Sequence, residues 1–159
     1  MKYREENPAW KAAALGAVAG LRSMAAPALL SRAAKQGNVR NLEETRFAPL
    51  LSSGVSSILY VLAAGEMVAD KSAGIPSRIS PPALLGRAAS GALVGAALFV
   101  SDERRGVSGA TLGTLAAVAA AYASYYARAS VGETLGVPDQ ILGHLEDGIV
   151  LFGGSRILK

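Results

Sequence analysis

Carboxylates recur inside apolar stretches of this chain, where an ionised side chain is hard to accommodate. Glu66 and Asp70 close the run LLSSGVSSILYVLAAGEMVADK, Leu50 to Lys71, with Lys71 beside them. Four residues apart, the two acids share one face of a helix. Glu146 and Asp147 sit in the centre of ILGHLEDGIVLF, Ile141 to Phe152, and Arg22 interrupts the apolar segment from Ala9 to Leu30. A charge inside a bilayer is costly, so it faces a partner or water. If the two acidic segments meet, they form a cation or proton site with Arg22 or Lys71 as counter-charge. Two neighbouring carboxylates cannot both ionise freely, so such a pair is able to carry a proton.

Secondary candidates surround this set. Ser23, next to Arg22, would supplement anion binding, although serine in a membrane helix commonly bonds the backbone. Arg87 would pair with an acid across helices or snorkel to the near interface. His144 lies two residues before Glu146; histidine changes charge near neutral pH, yet a lone one more often serves as a structural hydrogen-bonder. The plainer reading of Arg22 is an interhelical ion pair or a snorkelling arginine. For Asp70 and Lys71 it is a solvated helix end.

The elements that must position these residues read as helices of membrane-spanning length. Pro8 fits the first turn of a helix carrying the Ala9 to Leu30 segment, which Arg22 and Pro27 interrupt. A signal peptide is an alternative for this region, but Glu5 and Glu6 do not suit its basic start and further apolar segments follow. Ser31 to Arg46 is a polar connection in which Asn41 would cap a short helix bearing Glu43 and Glu44. A second span runs from Phe47 to Lys71, and Ala73 to Pro82, AGIPSRISPP, reads as a rigid non-helical loop. The third span, Ala83 to Val100, carries Gly91 and Gly95; the fourth, Val107 to Ala127, is uncharged and carries Gly109 and Gly113. Small residues at this spacing let helices approach closely. Tyr122, Tyr125 and Tyr126 gather at the end of the fourth span like an interfacial belt. The segment 141–152 is short for a span, which needs about 20 apolar residues, and would be shielded by its neighbours or re-entrant.

Composition agrees. The 159 residues are 51% hydrophobic and 18% charged, with 18 glycines and 6% aromatics; a soluble domain carries about 25% charged residues. The chain has no cysteine and a single histidine, which excludes thiolate and multi-histidine metal sites, and no cofactor is expected. The net charge of +4 is scattered between apolar segments rather than massed on one face, which argues against nucleic acid. Cations are nearly balanced across the two sides implied by the spans, so the positive-inside rule gives no orientation. No nucleophile elbow, phosphate loop or dinucleotide fingerprint is present. Ala13, Leu15, Gly16 and Ala19 align with Ala110, Leu112, Gly113 and Ala116 at one constant offset, a hint of the inverted repeat found in many transporters.

Three pieces together, GLRSMAAPALLSRAA (Gly20 to Ala34), AAGEMVADKSAGIPSRISPPALLGRAASGAL (Ala63 to Leu93) and LEDGIVL (Leu145 to Leu151), carry a resemblance. The chain resembles, from about Ala12 to Gly154, a family of small bacterial integral membrane proteins catalogued only as a domain of unknown function. The resemblance implies a polytopic helical membrane protein and supplies no activity.

The expectation is therefore one all-α domain, a polytopic helical membrane bundle of four to five spans with broken or re-entrant pieces and a weak inverted repeat. It would lie in the lipid bilayer of a bacterial inner membrane. Its leading function would be a small transporter or channel-like permease for an ion or small polar solute, working as a homo-oligomer, with Arg22, Glu66, Asp70, Glu146 and Asp147 along the path. The competing class is a membrane scaffold or accessory subunit whose charges are structural ion pairs. A lipid-directed enzyme using the carboxylates, and a soluble alanine-rich helical protein, are further readings.

Overall fold

The computed structural model describes residues 7–69 and 79–159; Asp70, Lys71 and most of the expected loop lie outside them. Among these residues the chain forms α1 (Pro8–Leu21), α2 (Ala25–Lys35), α3 (Ser53–Ala69), α4 (Pro81–Ser101), α5 (Gly106–Leu135) and α6 (Asp139–Ile157), with two 3-10 turns between α2 and α3. No strand occurs among them. The fold is all-helical.

Local chemistry sets most of the boundaries. Asn7 accepts the Ala9 N–H at 3.0 Å, and Pro8 takes the first position of α1. Pro81 and Pro82, expected to end a loop, instead open α4, where their missing N–H groups are not needed. Gly136, in the left-handed region at φ 63°, ends α5. Asn41 precedes a 3-10 turn, as its position suggested, but its side chain does not cap it.

The core is a close three-helix contact among α1, α4 and α5. A methyl added at Gly95 would lie 2.0 Å from the Gly109 carbonyl oxygen, and one at Gly113 would lie 2.0 Å from that of Gly91. Gly16 faces Gly113, and Gly20 faces Ala117. Those contacts advance together along both chains, so α1 and α5 run in the same direction. An inverted repeat would set its two halves antiparallel, so the aligned glycines mark a packing seam rather than inverted copies.

Among the described residues, only α4 and α5 are both long and apolar enough to cross a membrane; α3 is apolar but has 17 residues. The expected first span, Ala9 to Leu30, is two helices of 14 and 11 residues. At about 1.5 Å per residue neither reaches across a hydrocarbon core of about 30 Å. Val18 and Leu29 both reach the same residue, Gly154, so α1 and α2 fold back toward each other as a helical hairpin. The acidic segment 141–152, expected to be short, lies within the continuous 19-residue α6.

Candidate functional site

The site is the break at the tip of the α1–α2 hairpin. Pro27 has no N–H with which to bond the carbonyl of residue 23, so a regular helix through this point would lose that bond. Arg22 is extended at φ −141°, and α2 restarts at Ala25. Several backbone groups freed by the break find side chains. The Ser23 carbonyl accepts from the Ser90 hydroxyl. The Gly20 carbonyl accepts from Arg87 Nε at 3.0 Å, and the Leu21 carbonyl from Arg22's own Nη1 at 3.1 Å. Glu66 takes the donors: its Oε1 accepts from Ser23 N (2.8 Å) and Ser23 Oγ (2.9 Å), its Oε2 from Met24 N (2.8 Å). A carboxylate at the start of a helix also opposes the positive end of its dipole.

The charges meet on the other side of the tip. Arg22, completely buried, donates through Nε to Asp147 Oδ1 at 2.7 Å, and its Nη1 lies 3.4 Å from Glu146 Oε2. Arg128 of α5 reaches the same Glu146 oxygen through Nη1 at 3.2 Å. Through Nε it also donates to Asp139 Oδ1 at 2.8 Å. Ser124, one turn earlier on α5, shares its hydroxyl with Glu146 Oε1. Because Ser124 and Arg128 are four apart, both face α6.

The resulting chain of opposite charges runs inward. Side-chain exposure falls from 69% at Asp139 to 13% at Arg128, 9% at Glu146 and 1% at Arg22. Buried charges are tolerated when they are paired and hydrogen-bonded in this way.

Of the residues singled out from the sequence, Arg22, Ser23, Glu66, Arg87, Glu146 and Asp147 are gathered around the break. Arg87 is buried and holds the end of α1 rather than snorkelling. His144 is exposed, away from Glu146 on its own helix, and Asp70 and Lys71 lie outside the described residues. Ser90, Ser124, Arg128 and Asp139 were not anticipated. Arg128 reads in sequence as a flanking cation at a span's end; only its contacts with α6 show that it turns inward with Ser124. No cluster able to hold a metal ion occurs among the described residues.

Fold and site together define a small all-helical protein with an ion-paired cluster buried at a helix break. A family model described as a domain of unknown function, DUF4126, matches residues 10–155. The chain belongs to that family. Comparison with curated proteins and with solved structures gives no match.

Proposed function

We propose that this protein is a small membrane permease for an ion or small polar solute, with its path along the charged cluster. The observation that carries the reading is the inward ladder Asp139–Arg128–Glu146–Arg22, which ends at a broken helix where Arg22 also meets Asp147. Broken helices, with backbone ends and charges converging on one point, are how many transporters build their binding sites. A bilayer setting is supported by where the large apolar side chains lie. Ile58, Val61, Val68, Leu85, Val107 and Phe152 are exposed, whereas Arg22, Glu146 and Asp147 are buried. Water would favour the reverse arrangement. A bacterial inner membrane is the setting we assign, and the small chain favours assembly of several copies around a shared path.

The test is solute and cation uptake into liposomes containing the full chain. Glu66→Gln and Glu146→Gln should each abolish most uptake; uptake that survives both removes the cluster from the path.

A second reading, a membrane scaffold or accessory subunit, is favoured by one observation: both Arg22 and Arg128 are directly ion-paired to acids of α6. A second protein co-purifying in fixed ratio, with no uptake by either alone, would favour it.

A further inference from the structure

The α1–α2 hairpin changes which end of the bundle each cation occupies. Gly16 of α1 faces Gly113 of α5, and Gly20 faces Ala117. In the same register Trp10 and Lys11 stand beside the start of α5, next to the turn that carries Arg104 and Arg105. From the tip, α2 returns toward this end and closes with Arg32 and Lys35 in its last turn. The chain then stays there: Ser31 bonds the Leu50 carbonyl and Ser56, and α3 reaches the tip only at Glu66. Arg40 and Arg46 therefore belong to the same end. Had Ala9 to Leu30 crossed as one span, Lys11 would stand opposite Arg32 and Lys35. Lys11 is half-buried and the other six are exposed.

Beyond the tip, the described residues contribute one arginine, Arg128, held by Asp139 and Glu146. The segment joining α3 to α4 adds Lys71 and Arg78 by sequence. Acids do occur at the basic end, namely Glu43, Glu44, Asp102 and Glu103, and Asp102 pairs with Arg104 at 3.1 Å. Lys and Arg decide membrane orientation, however, and acidic residues weigh little in it.

A second observation comes from the aromatic residues. Trp10 is exposed at the basic end, and Tyr122, Tyr125 and Tyr126 are exposed further along α5. In the α1–α5 register, at about 1.5 Å per residue, the tyrosines stand about 25 Å beyond Trp10. A hydrocarbon core is about 30 Å thick, and Trp and Tyr collect at its two faces.

We propose that the Lys35–Arg104 end of the bundle rests on the cytoplasmic face of the membrane, its cations among the anionic headgroups of that leaflet. The negative surface potential there attracts cations placed beside a span. The hairpin then enters the bilayer from the cytoplasm and turns back at Arg22. Asp139, the exposed end of the charge ladder, opens to the outer side. The inference rests on the bilayer setting of the proposed function and not on transport.

The chain has no cysteine, so single cysteines report orientation. Asn38→Cys marks the basic end and Thr134→Cys the far end of α5, both at exposed positions. Each full-length variant is expressed in bacterial spheroplasts and treated with a membrane-impermeant maleimide before and after lysis. Thr134→Cys should label several-fold more than Asn38→Cys in intact spheroplasts, with the two equal after lysis. The reverse pattern, equal labelling of both in intact cells, or labelling of neither before lysis overturns the orientation. Recovery of the protein in the soluble fraction refutes the bilayer setting itself. Combined Arg32→Gln, Lys35→Gln, Arg104→Gln and Arg105→Gln should raise the labelling of Asn38→Cys in intact spheroplasts several-fold. The same variant should retain several-fold less phosphatidylglycerol through purification, counted by mass spectrometry. Unchanged labelling and unchanged lipid would overturn the role of the basic face. If the combined variant does not insert, the two single cysteines decide alone.

Discussion

Arg22 ties together parts of the chain that lie far apart in sequence. Its guanidinium joins the end of α1 to Glu146 and Asp147 of α6, at full burial. Removing one partner from a buried ion pair destabilises by about 3–5 kcal/mol. Arg22→Gln should therefore lower stability by that order, read from denaturant unfolding in detergent micelles. Loss under about 1 kcal/mol would mean that water already reaches the cluster. Glu66 holds α3 against the hairpin tip by accepting three hydrogen bonds. Glu66→Gln keeps the shape but loses the charge at the start of α2, and should lower stability by about 1 kcal/mol in the same measurement. At this scale much was legible, because a charge inside an apolar run is conspicuous. Pairing was less so. Arg128 stands where flanking cations usually stand, and only the packing of α5 against α6 turns it inward.

The elements divide into a rigid seam and a polar tip. In the seam, Gly95 and Gly113 admit no added carbon without moving another helix's backbone. Gly95→Ala should thus destabilise by about 1–3 kcal/mol through overpacking. Gly86, on α4 as well, has nothing within 4 Å of an added methyl. Gly86→Ala should leave stability unchanged or raise it by up to about 1 kcal/mol, because alanine suits a helix interior better. The pair of melting temperatures, measured side by side, checks both. The glycine spacing gave the seam away in sequence, as did the apolar lengths of α4 and α5. The hairpin was harder to see. Arg22 and Pro27 marked a discontinuity, but that both halves fold back and meet α6 depends on contacts far along the chain. The continuity of α6 was also hidden, because polar residues flank its apolar centre and only its neighbours bury Glu146 and Asp147.

At the scale of the molecule, the outer faces of α3, α4 and α6 carry bulky apolar side chains while one charged cluster is buried within. Phe152 is 70% and Val61 71% exposed, while Arg22 has no exposure. This arrangement suits hydrocarbon as the solvent for the outer faces, so the protein should stay with membranes through an alkaline wash and enter the detergent phase on partition. Recovery in the aqueous phase without detergent would contradict it. Composition pointed the same way, since the small-residue content that builds the seam leaves the bulky apolar side chains for the exterior.

The most direct measurement of the central claim is a high-resolution structure of the protein in lipid, with density examined around Glu146, Asp147 and Glu66. An ion, a solute or a water chain is expected between Asp139 and Arg22, with acyl chains against the exposed faces of α3 and α6. A dry cluster in which protein donors fill every carboxylate position, beneath a second protein covering those faces, would contradict it and leave the scaffold in its place.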